Sequence, residues 1–265
     1  MPIDSPRVQS WLDRFEGYRI TVTDARIRSW ISNFQGNDSD LGARVLDAVT
    51  FVRYEDMEEA LQYLVSALPG WNKDKTQRKG RWRFVAFSMS AGESGDLLLN
   101  KSRTALGLTS RRFDEVFIYK ADLLRERLGP TDNVVFIDDF AGTGEQASRA
   151  WPGLMELLPE NPKTYLLLIA AGERAIRIIE QETKLYVRAK QVLKSTDDIF
   201  SDDCRYFTDD EKRRLLSYCR RADRRYPRGY GNCGFLFVLA NKTPNNSIPV
   251  LHADHRRWVG LFPRG

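Results

Sequence analysis

The residues best suited to chemistry lie in one segment, VVFIDDFAGTGEQ, at 134–146. An apolar strand runs into two adjacent carboxylates, Asp138 and Asp139. A short turn with Gly142, Thr143 and Gly144 follows, and Glu145 and Gln146 then open a helix. A strand-to-helix turn of this kind lies at the carboxyl edge of a parallel sheet, where open α/β sheets bind ligands. Glycines let the backbone approach a phosphate with no Cβ in the way. Backbone N–H groups at a helix start, with the helix dipole behind them, favour an anion, and the Thr143 hydroxyl adds a donor. Paired carboxylates can accept hydrogen bonds from the vicinal diol of a ribose, and can position a divalent cation through water. The chemistry expected is recognition of a sugar phosphate.

Other loops have overlapping signatures. A P-loop is excluded, because GxxxxGK[ST] does not occur. GTGEQA fits G-x-G-x-x-A, but Asp-Asp-Phe-Ala separates the strand from the first glycine, whereas a dinucleotide fingerprint follows its strand directly. DFAGTG matches the D-x-F-x-G-x-G loop of S-adenosylmethionine methyltransferases. That class predicts a downstream tetrapeptide such as (N/D)PP(Y/F), and Pro244-Asn245-Asn246 does not supply it. The plain structural alternative is an Asx turn with a glycine cap.

The elements that must position this turn read as an α/β core. Segments 81–89 (RWRFVAFSM), 133–137 (NVVFI), 165–170 (YLLLIA), 185–192 and 234–240 (GFLFVLA) are predicted strands. Runs as apolar as NVVFI suit strands covered on both faces. Helices are predicted over 113–128, 145–158 and 173–181, and this strand–helix alternation implies a parallel sheet flanked by helices. Upstream, Thr23 caps a predicted helix whose Ile27, Trp30, Ile31 and Phe34 recur at helical spacing, and Gly36-Asn37-Asp38 breaks it. Two further amphipathic stretches follow, at 41–49 and 56–68. The expected organisation is an N-terminal helical cap over 1–80, ending in the polar linker WNKDKTQRKG, and an α/β domain over 81–265.

Taken together, the 134–146 segment resembles the donor-binding signature of type I phosphoribosyltransferases. The resemblance implies that Asp138 and Asp139 bind the ribose hydroxyls of phosphoribosyl pyrophosphate, and touch Mg²⁺ through water. It implies that Ala141, Gly142, Thr143, Gly144, Glu145 and Gln146 hold the 5′-phosphate. The family usually ends this loop with Thr, and this chain has Gln146. A pyrophosphate loop is implied after an earlier strand. SMSAGESGD at 88–96 stands in that order, with Ser90, Ser94 and Gly95 in the loop and Lys101 and Arg103 beyond it to supply charge. The C-terminal GFLFVLANKTPNNSIPVLHADHRRWVGLFPR and the N-terminal ITxxxIxxWIxxF further resemble the PRTase-CE domain of prokaryotic conflict systems. This resemblance spans nearly the whole chain. It implies an anti-phage effector, in some cases retron-associated, beside a winged-helix or reverse-transcriptase/RNA partner. The implied activity is transfer of a ribose phosphate, and the alternatives are a non-catalytic sensor of a nucleotide or sugar phosphate and the methyltransferase.

Asn245, Asn246 and Trp258 are the expected acceptor-reading residues of a variable hood, since Asn offers both donors and acceptors. The densest basic run, KRRLLSYCRRADRRYPR at 212–228, reads as an amphipathic helix with a solvated basic face, or as a contact for nucleic-acid phosphates. The chain carries 41 Lys+Arg against 36 Asp+Glu, a net +5 that points only weakly to anionic partners. Three scattered cysteines without a CxxC spacing, and His252 and His255 without companion ligands, argue against disulfides and zinc. No apolar run has membrane-spanning length and no signal-peptide pattern opens the chain, so a cytoplasmic location without membrane contact is expected.

Overall fold

The computed structural model describes residues 4–87 and 94–264. In chain order the helices are α1 (Ser5–Arg14), α2 (Asp24–Ile31), α3 (Ser39–Ala48), α4 (Tyr54–Ser66), α5 (Ser94–Ala105), α6 (Leu123–Glu126), α7 (Glu145–Glu156), α8 (Glu173–Glu182), α9 (Asp209–Ala222) and α10 (Pro249–His252). The strands are β1 (Thr50–Val52), β2 (Trp82–Ala86), β3 (Asn133–Ala141), β4 (Lys163–Gly172), β5 (Tyr186–Leu193) and β6 (Phe237–Leu239). Contacts divide the chain into two units, one of residues 1–54 with 194–265 and one of residues 55–193. This differs from the boundary expected at residue 80. No helix among the described residues is long and apolar enough to cross a membrane.

The unit of residues 55–193 contains a four-stranded, all-parallel sheet in the order β2-β3-β4-β5. Side chains alternate faces along a strand, and the buried residues sort accordingly. Val85, Val134, Phe136, Leu166, Leu168 and Val187 share one hydrophobic cluster with residues of α6, α7 and α8. The alternate set includes Trp82, whose ring stacks on Tyr165, and Tyr165 in turn meets Tyr186. On that side Lys190 lies over the Tyr63 ring of α4, and Gln62 ties α4 to the Ala105 carbonyl that ends α5. Helices thus cover both faces, as the apolar strands require. The 71–80 segment also contributes, because Trp71 packs edge-on against Trp82 and Phe84.

The helix predicted over 113–128 is broken. Residues Arg111–Val116 and Lys120–Asp122 form 3₁₀ turns, and α6 is four residues long. Between them the Ile118 N–H donates to the Phe84 carbonyl at 3.2 Å, so this stretch covers the exposed edge of β2. Edge cover satisfies backbone groups that a continuous helix would have left open.

The unit of residues 1–54 and 194–265 has its own core. Trp11, Phe15, Trp30 and Phe34 from the N-terminal helices pack with Tyr218, Trp258 and Phe262 from the C-terminal segment. The Trp30 and Trp258 indole N–H groups both donate to the Val250 carbonyl, at 2.6 and 3.1 Å. The strand predicted at 234–240 shortens to β6 and pairs in parallel with β1, outside the main sheet. The helices expected to cap the α/β core are therefore largely partners of the C-terminal segment; of the predicted cap, α4 belongs with the sheet.

Candidate functional site at the carboxyl edge of the sheet

β3 runs on past its last described pairing with β2. The last β2–β3 pair is Ala86 with Ile137, and the Phe87 N–H donates to the Ile137 carbonyl at 2.9 Å. β3 then continues through Asp138, Asp139, Phe140 and Ala141, and among the described residues its strand partner there is β4. The two acids predicted to start the loop are thus the last part of the strand. Regular pairing of Asp138 with Leu168 and Phe140 with Ala170 holds them there. Since successive strand residues face opposite sides, the two carboxylates diverge. Asp138 stays partly exposed and its Oδ1 accepts the Asp139 N–H at 2.9 Å, whereas Asp139 is 0% exposed. One carboxylate of the pair is left partly accessible and the other is built into the interior.

The turn is shaped by Gly144. Its φ of 84° is a left-handed conformation, and a Cβ there would lie 2.9 Å from the Ala175 carbonyl oxygen and 3.2 Å from Ile179 Cγ1 of α8. Only glycine meets both demands. As the N-cap of α7 it offers no side-chain oxygen, and Thr143 Oγ1 instead accepts the Glu145 N–H at 3.4 Å. Glu145 and Gln146 are exposed, and Glu145 pairs with Arg149 one turn on at 2.6 Å. Gly142 and Ala141 are half-buried at the same edge. Opposite them β4 ends in Ala170, Ala171 and Gly172, small residues that keep the adjoining edge low.

The other predicted residues are distributed less favourably. Ser90 lies outside the described residues, while Ser94 and Gly95 open α5. Lys101 and Arg103 do not follow the loop closely. At about 1.5 Å of rise per residue, they lie roughly 10 and 13 Å along α5 from its start. Lys101 reaches Glu58 at 3.9 Å, and Arg103 pairs with Asp114 and covers the Phe117 ring. Their charge is spent within the fold.

Asn245, Asn246 and Trp258 belong to the other unit. Asn246 is buried, and its Nδ2 donates to the Tyr230 carbonyl at 2.9 Å, while the Asn245 carbonyl accepts the Tyr230 N–H at 2.7 Å. Trp258 is 1% exposed and part of the aromatic core. These residues hold the 229–235 segment and the core together; the hood role expected of Asn246 and Trp258 does not fit their burial.

One residue missed by the sequence reading is Arg174. It is exposed in the first turn of α8, next to Ala175, whose carbonyl faces Gly144, and it makes no ion pair among the described residues. A cation at a helix N-terminus opposes the macrodipole, which is the signal that singles it out.

This donor set suits a phosphorylated sugar with Mg²⁺. No group of three His, Cys, Asp or Glu side chains able to hold a metal occurs among the described residues. Mg²⁺ characteristically takes one or two carboxylates and completes its shell with substrate oxygens and water, which the partly exposed Asp138 fits.

Comparisons with known proteins follow this geometry. A hypoxanthine-guanine-xanthine phosphoribosyltransferase structure is similar over 53% of this chain and 75% of its own, at 12% identity and a TM-score of 0.29. No curated protein matches at a significant level. The PRTase-CE family model matches residues 27–264, spanning the sheet, the Asp138–Gln146 turn and most of the second unit, and by that match the chain belongs to the PRTase-CE family.

Proposed function

We propose that the 55–193 unit binds phosphoribosyl pyrophosphate, or a related nucleotide, with Mg²⁺ at the carboxyl edge of its sheet, and that the protein transfers the ribose phosphate to an acceptor. The observation that carries this reading is the partly exposed Asp138 at the end of β3, followed within six residues by the glycine-shaped turn at Gly144. Asp138 accepts hydrogen bonds from the ribose hydroxyls. The Gly142–Gln146 backbone and the Thr143 hydroxyl hold the 5′-phosphate at the start of α7. Arg174 supplies the positive charge that Lys101 and Arg103 do not. Asp139 supports the strand end from inside the fold. Asp138, together with the donor's own oxygens, would hold Mg²⁺, and the ion would supply charge stabilisation for a departing pyrophosphate.

In the transfer, the bond from ribose C1 to the pyrophosphate oxygen breaks, its electron pair leaves with pyrophosphate, and an acceptor lone pair forms the new bond to C1. Such a step depends on positioning and charge stabilisation more than on a protein nucleophile. An effector role in anti-phage defence belongs to the same proposal. A second reading, a sensor that binds the donor without turnover, is favoured by the burial of Asp139 and by Gln146 at the end of the turn.

Calorimetric titration with phosphoribosyl pyrophosphate and Mg²⁺, with S-adenosylmethionine as control, tests the site. Asp138→Asn removes a charged acceptor, a loss of about 1.5–3 kcal/mol or roughly 10- to 150-fold in affinity. Equal affinity in folded Asp138→Asn, or binding of S-adenosylmethionine instead, overturns the assignment. Pyrophosphate release then separates transferase from sensor.

A further inference from the structure

The second unit carries a feature that donor binding does not use. A cavity of about 630 Å³ is lined by Arg220, Arg221, Arg224, Pro227 and Arg257. All four arginines are exposed, and none of them is in an ion pair among the described residues. The first half of the same helix behaves differently. Lys212 donates to the Ser201 carbonyl at 2.7 Å, Arg213 pairs with Asp210 at 3.3 Å, and Arg214 meets Asp210 at 2.9 Å and also Asp38. The basic run is thus divided into a neutralised start and an uncompensated end.

Helix stabilisation accounts for only part of the cluster. Arg220 and Arg221 occupy the last turn of α9, where cations favour the dipole. Arg224 lies past the helix end, and Arg257 comes from a separate stretch of chain beyond α10, yet both converge on the same cavity. Arg221 is steadied over the rings of Tyr218 and Trp258, at 5.4 and 6.0 Å. The carboxylate of Asp223 accepts the N–H groups of Arg225 and Tyr226, at 2.7 and 3.2 Å, and so is engaged in the turn.

We infer that this cluster binds the phosphate backbone of a nucleic acid. The lining presents guanidinium forks suited to phosphate oxygens. It presents no aromatic face and no Asp, Asn, Ser or Thr that would read a base or a sugar, so recognition is by charge and independent of sequence. Arg225 and Arg256, next in sequence to the lining residues Arg224 and Arg257, are also exposed. The successive phosphates of a strand can engage several such separate guanidinium groups, more than the phosphates of a compact nucleotide reach.

The test is fluorescence anisotropy of the full chain with a labelled single-stranded RNA of mixed sequence, at several salt concentrations. Four phosphate contacts on a single strand give a slope of log K on log salt of about −3. At 0.1 M salt each contact is worth about fivefold, so Arg220→Glu/Arg224→Glu/Arg257→Glu weakens binding by about 100-fold or more and flattens the slope by about 2. The corresponding triple Lys variant keeps the charge and retains most of the binding. Arg224→Gln, a change at one exposed position, loses about fivefold and serves if the triple Glu variant fails to fold. Absence of RNA binding by the wild type at low salt overturns the inference. So does an unchanged affinity in Arg224→Gln together with the triple variant, and so does arginine-dependent binding of inorganic tripolyphosphate without binding of RNA. The donor-site variant Asp138→Asn leaves RNA binding unchanged, which keeps the two proposals separable.

Discussion

Replacing Gly144 with alanine probes the turn on which the proposed donor site rests. At a φ of 84° an L-residue costs about 1–2 kcal/mol relative to glycine. The added Cβ would lie 2.9 Å from the Ala175 carbonyl and 3.2–3.3 Å from the Ile179 and Ile178 side chains. The backbone oxygen cannot rotate away, so α7 and α8 must part slightly, an overpacking cost of about 1–3 kcal/mol. Reduced freedom of the unfolded chain returns about 0.4–1 kcal/mol. The net expectation is a loss of about 2–4 kcal/mol, which for a chain of this size lowers the midpoint of thermal unfolding by roughly 4–16 °C. Thermal melts followed by circular dichroism measure it directly. Gly153→Ala is the matched control: that glycine is exposed within α7, and a methyl added there would meet nothing within 4 Å. Alanine at that position should stabilise by about 0.5–1 kcal/mol. A Gly144→Ala midpoint within a degree of wild type would refute the left-handed, closely packed turn. The phosphate cradle derived from it would fall as well.

Acid should weaken the unit that holds His252. Loss of solvation on burial, helped by the nearby charge of Arg264, lowers this ring to about 4 from an ordinary 6.5. The unfolded chain then binds a proton that the folded chain refuses, so stability is complete above pH 6.5 and falls towards pH 4, by up to about 3 kcal/mol. Urea unfolding at pH 7 and pH 4.5 should show this loss, reduced in His252→Gln; an identical loss in both proteins would exclude the histidine as its source. Among the thiols, Cys204 and Cys219 are buried and burial pushes the Cys219 thiol far up, whereas Cys233 is partly exposed. Native titration with a thiol reagent should therefore find one fast-reacting group, lost in Cys233→Ser, and rapid reaction of that variant would contradict the burial.

Much of the local architecture was legible from residue patterns. Thr23 caps α2 as predicted, its Oγ1 accepting the Arg26 N–H at 3.2 Å, because a cap is decided within four residues. The strands β2, β3 and β4 declared themselves through short apolar runs rich in β-formers, and the helices α7 and α8 through the segments that alternate with them. The turn at Gly142–Gly144 was visible because two glycines and a threonine between an apolar run and a helical stretch mark a strand-to-helix turn. Amphipathic faces, however, say that something covers them and not what does. The strands β1 and β6 pair across some 185 residues of chain, a pairing that no window of sequence contains. The divergence of Asp138 and Asp139 likewise followed only from β3 continuing beside β4, and the burial of Trp258 and Asn246 only from the packing of distant segments. Sequence by itself determined most of the strands and helices of the sheet and the glycine turn at 142–144, since these depend on neighbours in the chain. Tertiary structure alone decided which carboxylate stays accessible and which arginines are without an ion pair among the described residues, because burial and charge pairing are set by residues far apart in sequence.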